Sequence, residues 1–285
     1  MTPLVLVLQL DPTDPPARLG QWLRDAGVEL DVRALDAGEQ LPTDLSPYQG
    51  VVVLGGWMGA LDDDVAPFLP DVRALLRQTV ADEVPTLGVC LGHQLLAVAH
   101  GGQVRVHPDG PEVGALLVAK RAAGGTDPLF GTLPITPDVI QWHSDEVHVL
   151  PPGAIQLYSS PHTDYQAFRL GRLAWGIQFH IENSAEMIRE WAAQREENLA
   201  HYDIDAIADR AIGLLDDIEE VWRPFAAVFA DIVRNPDAVR PARGVPTTTA
   251  APITDPAAIR AALAAELTSS RASLPMPGVR PPDET

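Results

Sequence analysis

The stretch TLGVCLGHQLL, residues 86–96, contains the only cysteine of a 285-residue chain. Glycines stand two residues to either side of Cys90, at Gly88 and Gly92. The apolar residues before Cys90 predict a buried strand, and residues 91–102 predict a helix that ends at a pair of glycines. A cysteine on such a turn has its sulfur near a helix N-terminus, which favours the thiolate. The same pattern also fits a structural cysteine buried in a core.

Strands and helices alternate along the segments around Cys90. Continuous apolar runs predict strands buried on both faces at 3–10, 50–56 and 86–90, and an alternating run predicts another at 28–35. Helical spacing predicts helices at 15–27, 66–83 and 91–102. The sequence therefore predicts an α/β fold with a doubly wound, mostly parallel central sheet and helices on both faces. Ligands of such sheets bind at the carboxyl ends of the strands, where Cys90 lies.

The rest of the chain changes in character twice. Residues 103–182 are richer in strand patterns, and helices are predicted at 184–200 and 204–233. Prolines recur from residue 236 onward, which predicts a flexible tail. Inside this tail, an N-terminal Asp-Pro pair favours a short helix at 255–267.

Composition excludes several classes of function. The net charge of −19 argues against nucleic-acid binding, because so acidic a surface repels phosphates. No apolar run reaches the ~18–20 residues of a membrane span, and the N-terminus lacks the basic residues of a signal peptide. One cysteine excludes an intramolecular disulfide or a multi-cysteine metal site, and the histidines lack metal-ligand spacing. We expect a cytoplasmic protein without metal or cofactor.

A second segment supplies what a cysteine nucleophile requires, namely a base and a group that orients it. WGIQFHIE, residues 175–182, predicts a strand that runs into a turn and places His180 two residues before Glu182. Side chains alternate along a strand, so both point to one side and Glu182 can hold the imidazole while its other nitrogen faces the sulfur. In VVVLGGWMGA, residues 51–60, Gly55 and Gly56 free backbone N–H groups for the second half of an oxyanion hole.

Five segments in this order resemble the class I (triad) glutamine amidotransferase family, in particular its stand-alone members similar to the amidotransferase domain of GMP synthase. They are GGWMGA, GVCLGHQLLA, WHSDEV, DYQAFRLG and QFHIE. The resemblance covers about residues 4–200. We therefore expect an amidotransferase domain at 1–200, a C-terminal helical extension at 201–235 and the tail at 236–285.

The resemblance implies roles for individual residues. Cys90 would be the nucleophile, His180 the general base and acid, and Glu182 the orienting carboxylate. The implied substrate contacts are main-chain groups around the oxyanion at Gly56, Met58 and Leu91, Gln94 at the backbone end of glutamine, and the pocket turn His143, Ser144 and Asp145. Trp57 and Ile181 stand where the family usually has prolines, which stiffen turns.

The resemblance also implies a reaction: the Cys90 thiolate attacks the γ-carboxamide of glutamine, ammonia leaves, and water hydrolyses the thioester. The chain carries no ATP-binding signature. We therefore expect that ammonia is delivered to a separate synthetase or transferase. The alternative is a free-standing hydrolase or transferase of γ-glutamyl peptides or amides, whose leaving group is an amine. A third hypothesis is a non-catalytic regulator on the same fold, against which the complete triad argues.

Overall fold

The computed structural model describes residues 2–194 and 199–239. The helix predicted at 255–267 lies outside the described residues, as does the tail predicted at 236–285 except for residues 236–239, which include a short 3-10 turn at Pro236–Ala238. The described helices are α1 (Ala17–Asp25), α2 (Leu69–Ala81), α3 (Leu91–Ala99), α4 (Ala185–Gln194), α5 (Ile204–Gly213) and α6 (Leu215–Arg234). None of them is both long and apolar enough to cross a bilayer.

The centre of the molecule is an eight-stranded sheet. In chain order its strands are β1 (Leu4–Gln9), β2 (Glu29–Ala34), β3 (Gly50–Val53), β4 (Thr86–Val89), β7 (Ala119–Lys120), β10 (Ile155–Ser159), β11 (Ala167–Leu170) and β12 (Ala174–Ile177). Their spatial order is β2-β1-β3-β4-β12-β11-β10-β7. The first five strands are parallel, and the last three continue the sheet antiparallel. The predicted mostly parallel α/β sheet is confirmed.

Helices cover both faces of this sheet because its strands are apolar on both sides. Along β1, Val5 and Val7 belong to the core cluster that contains α1 and α6. Leu6 and Leu8, on the other face, belong to the cluster that contains α2 and α3. The alternation of side chains thus divides one apolar run between two cores. It also places the β4–α3 junction, where Cys90 lies, at the carboxyl edge of the parallel strands.

Two small antiparallel ribbons complete the described strands. One pairs β5 (Gln103–Val106) with β9 (Asp145–Val149), and the other pairs β6 (Glu112–Leu117) with β8 (Asp138–His143). The second ribbon is joined to the segment after β12, because Ile140 and His180 exchange backbone hydrogen bonds of 3.2 and 2.8 Å. The strand-rich region predicted between 103 and 182 therefore forms the surroundings of His180.

The single helix predicted at 204–233 is wrong. The structure breaks it at Gly213 and Leu214, where the Leu214 N–H donates to the Ala211 carbonyl and α6 begins at Leu215. The two halves have different partners: α5 packs against α4 and β6, whereas α6 packs against α1 and β8. One amphipathic pattern continues across the break, so periodicity alone did not reveal it. The described residues belong to one compact unit, and the domain boundary at residue 200 stays a prediction.

The turn between β4 and α3 brings backbone segments into direct contact. A Cβ atom added at Gly92 would lie 2.1 Å from the Val53 carbonyl oxygen, and one at Gly88 would lie 2.5 Å from the Gly92 carbonyl. Both distances are far below van der Waals contact. The spacing Gly-x-Cys-x-Gly therefore lets α3 start directly against β3.

Substituting Gly92→Ala is expected to lower the free energy of unfolding by about 3 kcal/mol or more, because a strand and a helix must separate to admit the methyl group. Denaturant unfolding measures this loss. The matched control is Gly213→Ala, since a Cβ there meets nothing within 4 Å. Equal stabilities of the two variants would contradict this account of the turn.

Candidate active site

Cys90 occupies a strained position between β4 and α3. Its φ is +50° and its ψ −106°, a conformation that residues other than glycine rarely adopt. Its N–H donates to the Ile177 carbonyl at 2.8 Å, so the neighbouring strand β12 holds the turn. Cys90 is 6% exposed and lines a cavity of about 350 Å³. Strain at a buried cysteine that faces a cavity is typical of a nucleophile.

His180 and Glu182 lie beyond the end of β12, and both are buried. The Nδ1 atom of His180 lies 2.5 Å from Oε1 of Glu182. The other carboxylate oxygen, Oε2, accepts a hydrogen bond of 2.9 Å from the Ile181 N–H. Both oxygens are therefore held, and the imidazole is oriented with its Nε2 atom free for another partner. A proline at 181 could not donate this second bond.

The electrostatics of His180 favour its charged form. Burial by itself would lower the pKa of His180, but the Glu182 carboxylate and Cys90 outweigh it and raise the pKa well above its ordinary value. The charge of Cys90 acts on His180 across a short distance, and the carboxylate of Glu182 holds the other side of the ring. In such an arrangement an imidazolium can stabilise a thiolate.

The cavity brings together most of the predicted substrate-binding residues. Its lining includes six of the seven, namely Gly56, Met58, Gln94, His143, Ser144 and Asp145. Leu91, the first residue of α3, does not line the cavity, because its side chain is buried in the apolar core that α2 and α3 form. The predicted contact of Leu91 is through its main chain, at the start of α3. These roles in substrate binding stay predictions.

Gln94 is engaged by neighbours inside the protein. Its side-chain amide donates to the Asp145 carbonyl at 3.3 Å and to Oε1 of Gln178 at 3.2 Å. Gln178 in turn directs its own amide toward Sγ of Cys90 at 3.7 Å. The sequence interpretation missed Gln178, although the alternation that joins His180 to Glu182 also places it on their side of the chain.

Glu112 is a second residue that the sequence interpretation missed. It is buried, it lines the cavity, and its Oε2 lies 3.3 Å from Nε2 of His143. Ser160 and Gln166 donate hydrogen bonds of 2.8 and 2.6 Å to its carboxylate. Burial alone would raise the pKa of Glu112, but His143 foremost, followed by Thr163 and Ser160, lowers it. Glu112 comes from β6, about 20 residues after Cys90 and about 70 residues before His180, so no local motif indicated it.

His93, on the first turn of α3, is buried away from solvent and packs on Phe168, with ring centroids 4.8 Å apart. Burial lowers the pKa of His93 to about 3, so its ring is neutral. Within residues 2–194 and 199–239, no group of three or more histidine, cysteine or acidic side chains is arranged to hold a metal ion.

Comparison with known proteins identifies the class that this fold and site define. Residues 17–190, more than half of the chain, match the family model of class-I glutamine amidotransferases. The chain therefore belongs to the class I glutamine amidotransferase family.

Individual relatives agree with this assignment. The glutamine-hydrolysing GMP synthase of Thermosipho africanus is 32% identical over 161 residues, which are 56% of this chain and 29% of that protein. The glutamine amidotransferase-like protein YfeJ of Salmonella typhimurium is 29% identical over 71% of this chain and 87% of its own length. A crystal structure of a glutamine amidotransferase from Thermotoga maritima superposes with a TM-score of 0.73 at 28% identity, covering 81% of this chain and 99% of that one.

Proposed function

We propose that this protein hydrolyses the γ-carboxamide of glutamine through a thioester on Cys90 and delivers the ammonia to a separate synthetase. One observation carries the proposal: Cys90, which lines the cavity, and the hydrogen-bonded pair His180–Glu182 follow the carboxyl ends of adjacent parallel strands, β4 and β12. The family assignment supports the substrate. A cytoplasmic location stays a prediction from the sequence.

The first half of the reaction forms the thioester. The Cys90 thiolate attacks the carboxamide carbon, and the carbonyl oxygen becomes an oxyanion that backbone N–H groups near Gly56 and Leu91 stabilise. The His180 imidazolium then gives its proton to the amide nitrogen as the carbon–nitrogen bond breaks. The products of this half are ammonia, a γ-glutamyl thioester and a neutral imidazole held by Glu182.

The second half releases glutamate. The neutral imidazole of His180 takes a proton from water, whose oxygen attacks the thioester carbon. The carbon–sulfur bond breaks, glutamate leaves, and the thiolate and imidazolium are restored. Glu112, a buried carboxylate in the cavity wall, supplies the negative charge that the α-ammonium group of glutamine requires.

The partner part of the proposal rests on relatives. The matched part of this chain covers only 29% of the Thermosipho africanus GMP synthase, whose name states that it hydrolyses glutamine. We propose that a synthetase on another polypeptide uses the ammonia formed here. Such a partner would contact the site at Trp57, which is exposed and lines the cavity.

The function is tested with the purified full chain. We expect glutamine to yield glutamate and ammonia in equal amounts, and an electrophilic glutamine analogue to label Cys90, which mass spectrometry locates on the chain's only cysteine. A panel of γ-glutamyl amides and peptides is assayed beside glutamine. Absence of both turnover and labelling would refute the assignment of Cys90. Cleavage of γ-glutamyl amides but not of glutamine would refute glutamine as the substrate.

Trp57 favours a second candidate, a hydrolase or transferase of γ-glutamyl amides. Trp57 and Val106 both line the cavity, and each is 70% exposed. Exposed apolar side chains at the mouth of a site are suited to an apolar group, here the amine portion of a larger amide.

Substituting Trp57→Ala separates the two candidates. If the amine portion packs on the indole, we expect hydrolysis of a γ-glutamyl aromatic amide to fall roughly tenfold, with glutamine hydrolysis changed less than about twofold. The measurement is kcat/KM for both substrates. A parallel loss for both, or no loss for either, would contradict an amine site at Trp57.

A further inference from the structure

Asp14 is a buried acidic residue for which the reaction described above has no use. It lies in the loop between β1 and α1 and is 6% exposed. Its Oδ1 atom is buried and has no hydrogen-bond partner among the described residues. Desolvating a carboxyl group without a hydrogen bond is costly, so a stable protein retains one only where another contribution compensates.

Gly55 lies beside both Asp14 and His180. A Cβ atom at Gly55 would lie 2.6 Å from Oδ2 of Asp14 and 3.1 Å from Cε1 of His180. The absence of a side chain at residue 55 therefore lets the carboxyl group approach the ring carbon between the two imidazole nitrogens. Glu182 holds Nδ1. Asp14 thus brings a second acidic group to the same imidazole, from another edge.

Trp191 keeps this arrangement together. Its indole packs edge-on against the His180 ring, with centroids 4.8 Å apart. Its Nε1–H donates a hydrogen bond of 3.2 Å to the carbonyl of Thr13, the residue before Asp14. One side chain of α4 therefore contacts both the imidazole and the loop that carries Asp14, and covers them from water.

Three titratable groups act on Asp14 from the surrounding elements. Burial raises the pKa of Asp14 to about 7; positive charge on His180 opposes this rise, and Glu182 and Asp11 add to it. Asp11 comes from the same loop, and His180 and Glu182 from the segment after β12. Asp14 consequently changes charge near neutral pH, beside an imidazole whose charge matters for the chemistry.

We propose that Asp14 is a positioning residue that acts through His180: as a carboxylate, it keeps the imidazole protonated at alkaline pH, so that a proton remains available for departing ammonia. An anion near a cation favours the charged form of that cation. Below neutral pH, Asp14 becomes neutral and Glu182 alone performs this task. The inference rests on the proposed function, because it assumes that His180 is the acid.

The test is the isosteric variant Asp14→Asn in the full chain. We expect the alkaline limb of the kcat/KM profile for glutamine to move down by about one pH unit, because one favourable charge is lost. Below pH ~6 the two profiles should coincide, since wild-type Asp14 is then protonated. NMR titration of the His180 ring, assigned with a His180→Asn variant, should show the same downward shift without requiring any turnover.

The free energy of unfolding provides a second readout. Replacing a residue with a merely structural role would lower it, whereas Asp14→Asn should raise it at alkaline pH. The pKa of Asp14 is raised in the folded protein, so between the unfolded value and about 7 the native state holds a proton that the unfolded chain has released. Wild-type stability therefore decreases as pH rises through this range. We expect Asp14→Asn to be more stable than wild type at pH ~8 and equal to it below pH ~3, where Asp14 is protonated in both states of the wild type.

The matched control is Asp11→Asn, which changes the neighbouring carboxylate, bonded to Thr13, and leaves Asp14 in place. It should leave the alkaline limb where it is. An unchanged limb and an unchanged His180 titration in Asp14→Asn would overturn the proposal, as would a loss of activity equal at all pH values. A shifted His180 titration in a chain that does not hydrolyse glutamine would support the role of Asp14 and refute the proposed function instead.

Discussion

Substituting Cys90→Ala is expected to reduce the turnover of glutamine by about 10⁴-fold or more, because the chain has no second cysteine to form the γ-glutamyl thioester. The measurement is single-turnover and steady-state release of glutamate. Cys90→Ser should be almost as inactive, since a hydroxyl beside His180 is a far weaker nucleophile than a thiolate at the same position. Binding of glutamine by both variants should persist, because the cavity walls are unchanged.

The strained backbone at Cys90 supplies the control for this loss. At φ +50° and ψ −106°, glycine is the residue that fits without strain. Cys90→Gly should therefore be inactive and yet more stable than Cys90→Ala by about 1 kcal/mol or more. If Cys90→Gly is inactive but more stable than Cys90→Ala, the strained backbone at this turn is retained because it positions the sulfur of Cys90. If Cys90→Ala kept substantial turnover, Cys90 would not be the nucleophile.

Substituting Glu182→Gln is the second change with a large expected effect, a decrease in kcat of about 10²- to 10⁴-fold. The amide keeps the volume of the carboxylate but removes the charge that counteracts burial at His180. Without that charge, burial dominates and the pKa of His180 falls, so the imidazolium–thiolate pair is lost. NMR titration of the His180 ring should then show a pKa lower than that of the wild type.

Ile181→Pro is the matched control for Glu182→Gln. It removes the backbone N–H that donates to Oε2 of Glu182, while the bond between Oε1 and His180 remains. We expect a loss of only a few-fold in kcat, of the size that one neutral hydrogen bond contributes. Losses of similar size in the two variants would indicate that the charge of Glu182 is not what matters.

Much of the site could be predicted because its parts are local. Gly-x-Cys-x-Gly between an apolar strand and a helix predicted the turn at Cys90, and the alternation of a strand predicted that His180 and Glu182 share a side. Both relations depend on residues close together in the chain, where backbone geometry alone decides the outcome. The break between α5 and α6 was missed because the apolar pattern continues across it. The two helices are separate because they pack against different elements, α5 against α4 and β6, and α6 against α1 and β8.

The sequence by itself therefore determined the mostly parallel α/β sheet, and it indicated Cys90 as the candidate nucleophile with His180 and Glu182 as the candidate pair beside it. Only the tertiary structure decided which distant side chains surround that pair: Gln178 directed toward the sulfur, Glu112 in the cavity wall, and Asp14 against the imidazole. The physical reason is that a hydrogen bond or a charge acts through space over a few ångströms, whereas a sequence pattern reports only neighbours along the chain. Asp14 meets His180 across a glycine that lies on neither segment, and the folded sheet alone brings the three together.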